Sequence, residues 1–205
     1  MPQLSLPIDP PHVLADDRRG RITYTPRLVE AATTRAWWAL LRAGVEWRAE
    51  RRRMYDRDVD VPRLTAHFAL AGAEAPPAAI AQAAERVRAA TGVAFNSVGL
   101  NLYRDGRDSV APHNDHLQEL VPGFPIALLS LGATRRMAIR AKEPPRRLLQ
   151  VDLEDGSLLL MDYETQLHYL HGVAKTTAAV GERISLAFRV RPAAGGQPGR
   201  RSLYR

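Results

Sequence analysis

Apolar and polar positions divide the chain into a helical first part and a strand-rich second part. Residues 1–20 are rich in Pro and Asp without clear periodicity, which predicts a loose N-terminal arm. Thr25-Pro26 has the form of a helix cap followed by proline at the first helical position. The pattern stays helical to Ala43, and Gly44 supplies the stop. A second helix is predicted from Pro76-Pro77, with Ile80, Ala83, Ala84 and Val87 at helical spacing and Gly92 at its end. Between the two, Val45 to Phe68 mixes Arg, Tyr and Asp with one Pro, which predicts strands and an exposed loop.

Beyond Val93 the pattern becomes short strands separated by turn residues. The candidates are 95–104, 126–131, 136–141, 147–153, 157–162, 167–171 and 183–190, punctuated by Asp105-Gly106, Pro122-Gly123, Pro144-Pro145, Asp155-Gly156 and Gly181. Two helices followed by this series of strands predict a mixed α+β, mainly β fold, a sandwich or jelly roll braced by two N-terminal helices. No internal repeat is visible, and the segment AAGGQPGRRS within residues 193–205 predicts a disordered tail. Residues 21–192 then form a single domain, for which 205 residues supply an adequate core.

Composition narrows the chemistry. There is no cysteine, so disulfides, thiolate catalysis and zinc–thiolate sites are excluded. No early apolar run approaches the length of a bilayer span, and no basic stretch followed by an apolar region opens the chain. A cytoplasmic protein with no membrane partner is expected. The net charge is +7 and the pI about 10.3, carried almost wholly by arginine, since Lys142 and Lys175 are the only lysines. Arginine's planar fork suits phosphate, and a basic surface attracts nucleic acid by releasing condensed counterions. A codon bias toward Arg and Ala accounts for the same charge equally well.

Two segments stand out chemically. In a strand, residues i and i+2 share a face, so His113 and Asp115 of the HND segment could grip one ion together. Two His and one carboxylate form the facial triad of non-haem iron(II) oxygenases, and His171, at the end of a predicted strand, is available as the third ligand. A bare H-x-D is common by chance. In RISLAFR, residues 183–189, the apolar Ile184, Leu186 and Phe188 lie on one face, and Arg183, Ser185 and Arg189 share the other. Two arginines on one side of a strand can hold the carboxylates of a dicarboxylic acid; an edge strand with a solvated basic face has the same pattern. Asn101 and Tyr103 likewise share a face opposite Leu100 and Leu102.

Together these segments resemble the AlkB family of 2-oxoglutarate oxygenases, in the family's order, from roughly Phe95 to Arg191. NLYRDGRDSVAPHND is similar to the family's N-x-Y strand, turn and H-x-D. IALLSLGATRRM is similar to its S-L-G strand followed by an Arg. GSLLLMDYETQLHYLHG resembles the segment ending in the last ligand, and RISLAFR the R-x-N/S-x-T/A-F-R signature. The resemblance implies a double-stranded β-helix (jelly-roll) core, with Fe(II) held by His113, Asp115 and His171 and 2-oxoglutarate as co-substrate. It further implies that Arg183, Tyr103 and Ser185 bind the distal carboxylate of 2-oxoglutarate. Arg189 and Asn101 would lie near its metal-chelating end. His168 is set apart, one odd step from His171, and His116 and His67 read as surface or packing residues.

On the resemblance, the activity is oxidative demethylation of N-alkylated bases in DNA, using O2 and acting as a monomer. The same chemistry on RNA or tRNA, hydroxylation of a protein or small molecule, and a non-catalytic nucleic-acid-binding module are the alternatives. Val61-Pro62-Arg63 resembles the V-P-R segment of the DNA-repair branch, in a lid spanning about residues 45–72. Tyr55, Arg57, Arg63 and Phe68 are therefore substrate-binding candidates, with Leu117 and Arg140 beyond them. The chain departs from the family in continuing AHFALAG without the Y-G-D and paired aromatics. It also places Leu117 where many members carry an acid that contacts the base.

Overall fold

The computed structural model describes residues 10–54, 57–72 and 74–192, with the side chains of residues 51–60 outside that description. Among the described residues, the chain runs β1 (His12–Asp17), β2 (Gly20–Thr25), α1 (Ala31–Gly44), β3 (Arg48–Met54), β4 (Arg57–Ala69) and α2 (Ala78–Thr91). It continues through β5 (Ser97–Tyr103), β6 (Val110–His113), a 3-10 turn (Leu117–Glu119), β7 (Ile126–Gly132), β8 (Arg135–Ala141) and β9 (Leu148–Leu153). The last elements are β10 (Leu158–Met161), the single-turn helix α3 (Thr165–His168), β11 (Tyr169–Val173) and β12 (Arg183–Arg189). They form two sheets, an eight-stranded one in the order β1-β2-β10-β7-β12-β5-β4-β3 and a four-stranded one in the order β6-β11-β8-β9. The mainly β architecture of two facing sheets is consistent with a jelly-roll core.

Strand alternation divides the core in two. On one side of the large sheet, Leu100, Leu102, Leu129, Leu131, Ile184, Leu186 and Phe188 pack with Trp37 and Leu41 of α1 and Ile80, Ala83 and Val87 of α2. On the other side, Tyr103, Leu128, Leu159 and Ala187 meet Met137, Ile139, Val151, Leu153 and Tyr169 of the small sheet. With both faces covered, residues 183–188 of β12 are all buried, polar ones included. Arg183 on that strand is shut off from bulk water, so its charge must find its partner inside.

Several expectations needed correction. The chain around residues 12–17 is a strand of the large sheet rather than a loose arm, paired with β2. Of β1 only Ala15 is buried, so its hydrophobic alternation is too faint to read. Thr25 does not cap a helix: it pairs with Leu158 in the sheet, Leu28 and Val29 then drop into the core, and α1 begins at Ala31. The second helix follows Pro77 and stops on Gly92 in the left-handed region, its N–H bonded to Arg88 O, as the pattern predicts. Residues 167–171 are not one strand, because α3 precedes β11 and places His171 at that strand's centre. Residues 1–9 and the tail 193–205 lie outside the described residues.

Candidate metal centre and its cavity

His113 and His171 come together through the ladder: they are direct partners where β6 pairs with β11. Gly172 makes this approach possible, since a Cβ there would lie 2.9 Å from Val110 O. The two imidazole centroids are 4.5 Å apart. Asp115 lies beyond the end of β6, so the i, i+2 strand argument does not bring it in; the chain turns after His113 and carries the carboxylate back. One ligand atom from each of His113, Asp115 and His171 lies within 4.8 Å of the others, a group that could hold a metal ion.

The protonation pattern suits a cation. His113 Nδ1 is 2.9 Å from Ala111 O, so Nδ1 carries the proton and donates, leaving the Nε2 lone pair for a ligand bond. Burial lowers the His113 pKa and, with the neighbouring His113, takes that of His171 to about 3. Burial alone would raise the Asp115 carboxyl, but the Arg189 charge and hydrogen bonds outweigh it and hold the group below its usual range. Arg189 grips Asp115 with both arms, Nε to Oδ2 at 2.6 Å and Nη2 to Oδ1 at 3.2 Å. Two neutral imidazoles beside an ionised carboxylate, with its own fixed counter-charge, match the donor set that iron(II) accepts.

A cavity of about 1000 Å³ is lined by these three residues and by Asn101, Tyr103, Arg183, Ser185 and Arg189, every residue expected for metal and 2-oxoglutarate. Arg183 is wholly buried, and its Nη2 donates to Ser130 Oγ at 2.9 Å. Its Nε and Nη1 are also buried and make no hydrogen bond among the described residues. The Tyr103 ring lies 5.1 Å from its Cζ. A buried guanidinium with open donors is costly unless an anion completes it, and a carboxylate has the fork geometry that fits. Asn101 Oδ1 accepts from Arg63 Nε at 2.7 Å, which orients the amide so that its NH2 group remains as the donor.

The substrate candidates are more scattered. Tyr55 lies outside the described residues, as does the side chain of Arg57. Arg63 lines the cavity, bonded to Asn101 and to Ser109 O. Phe68 also borders it, but packs against the helix-side core, because it pairs with Val98 rather than with the Asn101 face. Leu117 lies in the 3-10 turn and is not among the cavity's lining residues. Arg140 is a correction: it is exposed on the outer face of β8, between the inward-facing Ile139 and Ala141, and does not reach the cavity. His67 and His116, read as surface or packing residues, are exposed and do line it. His168 stands apart from the triad because it ends α3, not because of strand parity.

Sequence reasoning missed two residues. Ser130, the partner of Arg183, was detectable as a lone polar residue in the apolar run IALLSLG. Of the pair Arg135-Arg136, alternation turns Arg135 inward, where it bonds Asp105 O, Asp108 O and Ala174 O at 2.8–2.9 Å. It thereby ties the loop before His113 to the loop after His171. Arg136 faces out, in a surface ion pair with Asp152.

The model of the 2OG-Fe(II) oxygenase superfamily matches residues 63–189. Human DNA oxidative demethylase ALKBH2 is 38% identical over 112 residues, covering 51% of this chain and 43% of that protein. Rat alpha-ketoglutarate-dependent dioxygenase alkB homolog 3 is 38% identical over 123 residues, 56% of this chain and 42% of its own. The chain thus spans under half the length of these relatives. Among solved structures, OsALKBH1 superposes with a TM-score of 0.57 at 15% identity, over 82% of this chain and 97% of its own. The non-heme alpha ketoglutarate dependent epimerase SnoN gives 0.59 at 14%, over 89% of both chains. At those identities the likeness is one of fold.

Proposed function

Given that the chain belongs to the 2OG-Fe(II) oxygenase superfamily and is AlkB-like within it, we propose that it is an oxidative demethylase of N-alkylated nucleobases in DNA. Members of this superfamily use Fe(II) and 2-oxoglutarate, and the His113–Asp115–His171 group fits the metal. The observation that carries the reading is the pairing of that group with the open buried donors of Arg183 in one cavity. The names of the ALKBH2 relatives support the choice of DNA.

When bound, Fe(II) and 2-oxoglutarate together supply an oxidant for unactivated C–H bonds. In the overall balance one atom of O2 enters the N-methyl group. The other enters succinate as 2-oxoglutarate loses carbon dioxide. The N-hydroxymethyl product then breaks its C–N bond, returning a proton to nitrogen and releasing formaldehyde. The chain's own residues bind and orient. Arg183, with Ser185 and Tyr103, would receive the distal carboxylate of 2-oxoglutarate, and the Asn101 amide would donate to its other end. Arg189 fixes the Asp115 carboxylate, and the apolar walls from Leu128, Met137 and Met161 limit water. Substrate enters past the β3–β4 hairpin in the lid region, about residues 45–72, and a base in a duplex must leave the stack at a cost of a few kcal/mol.

The test is anaerobic loading with Fe(II) and 2-oxoglutarate, then oxygen and a panel of methylated DNA and RNA oligonucleotides. A visible charge-transfer band followed by formaldehyde from DNA supports the reading. Formaldehyde from RNA alone moves the substrate to RNA. Succinate without formaldehyde on any nucleic acid points to a protein or small-molecule hydroxylase, and absence of the band points to a non-catalytic module.

A further inference from the structure

We propose that Gln166 is a positioning residue for the metal centre, clipping the Asp115 segment to the segment that carries His171; this rests on the metal-site reading above. Asp115 lies past the end of β6, so no ladder bond of that strand holds its backbone. Its carboxylate is held by Arg189, and its N–H donates to Gln166 Oε1 at 3.0 Å in a fully buried bond. Gln166 is 1% exposed and belongs to α3, which runs directly into β11 and His171. One side chain therefore ties Asp115, two residues past the last β6–β11 pair, to the stretch that carries His171.

The amide's orientation is dictated at both ends. Thr165 Oγ1 donates to Asp162 O at 2.6 Å, so toward Gln166 it can only accept, and Gln166 Nε2 donates to it at 3.0 Å. That leaves Oε1 facing the Asp115 N–H; a flipped amide would set donor against donor. The anchor is itself secured. Asp162 exchanges two hydrogen bonds with the backbone of Arg21 in β2, and Lys142 Nζ donates to Gln166 O at 2.9 Å. The carbonyl group of Gln166 thus arrives at Asp115 from a fixed base on both sheets. Partners of this kind, one step removed from the metal, alter its affinity by about 10- to 100-fold when removed.

The experiment measures Co(II) affinity by its visible absorption, without co-substrate, for the full chain and for Gln166→Leu, Gln166→Glu, Thr165→Ala and His171→Ala, with metal-free melting curves alongside. Gln166→Leu removes the acceptor at similar volume and is expected to weaken Co(II) about 10-fold or more. Gln166→Glu keeps an acceptor, toward which the Thr165 hydroxyl can turn, and is expected to bind at least as tightly as the wild type. Thr165→Ala frees the amide from its base and should lose several-fold. A role confined to packing α3 would lower the metal-free melting temperature while leaving Co(II) affinity in the folded protein unchanged, and that result overturns the proposal. If Gln166→Leu does not fold, wild-type Co(II) affinity in Thr165→Ala overturns it as well. If wild type binds Co(II) no better than His171→Ala, the metal-site reading itself fails, independently of Gln166.

Discussion

Replacing Arg183 with Met separates the cost of a buried charge from its use. In the protein without co-substrate, the guanidinium is entirely buried beside the Tyr103 ring, and among the described residues it makes one hydrogen bond, to Ser130 Oγ, with Nε and Nη1 unsatisfied. Burial is the first cause that lowers its pKa, a sign that the folded protein pays for the charge. Met fills much of the same volume without that cost, and apolar replacements of buried ionic groups are often neutral or stabilising by about 1–4 kcal/mol. Arg183→Met without ligand should therefore melt no lower than the wild type. With 2-oxoglutarate the sign reverses. A lost charge-assisted bond costs about 1.5–3 kcal/mol, roughly 10- to 150-fold in affinity. At a concentration 100 times the wild-type dissociation constant, the wild type gains about 2.7 kcal/mol of stability. In the variant that gain should shrink to about 1.4 kcal/mol for a 10-fold loss of affinity and about 0.3 kcal/mol for a 150-fold loss. Melting curves with Mn(II), with and without 2-oxoglutarate, read both effects. A variant that melts well below wild type without ligand, yet gains as much from 2-oxoglutarate, would refute the assignment of Arg183 to the co-substrate.

Three further outcomes are expected. His113→Ala, Asp115→Ala or His171→Ala should each abolish the charge-transfer band of the anaerobic Fe(II)–2-oxoglutarate complex, and His168→Ala should keep it; the opposite result for the two histidines would reassign the ligand. Arg63→Ala frees the Asn101 amide to rotate, so the apparent constant for 2-oxoglutarate should rise by about 2- to 13-fold, the worth of one ordinary hydrogen bond of about 0.5–1.5 kcal/mol. That rise should be measurable in turnover without nucleic acid; an unchanged constant would return Arg63 to a purely substrate-facing role. Arg135→Met leaves three carbonyl groups short of a donor and should cost about 3 kcal/mol or more, a fall of roughly 6–12 °C in melting temperature for a domain of this size.

What could be read from the sequence follows a physical line. The β12 segment was legible because strand periodicity sorts its side chains without further information: Ile184, Leu186 and Phe188 go to the helices, Arg183, Ser185 and Arg189 to the cavity. The same rule places two substrate candidates, Phe68 on the helix-side face of β4 at the cavity's border and Arg140 on the outer face of β8, away from it. Their parity was fixed by register, which single strands do not disclose. The polar first strand was illegible for the opposite reason, with one buried position in six and so no periodicity to detect. Asp115 is the most instructive residue. Its place in the triad was anticipated, but from an argument about strands that the structure does not bear out, because β6 ends before it. What holds it beside the two histidines is a buried bond that its N–H donates to a residue 51 positions along the chain and a two-armed grip from one 74 positions along. No local pattern encodes contacts at that separation, so an H-x-D motif is informative only when the segments carrying its distant partners are present in the same chain.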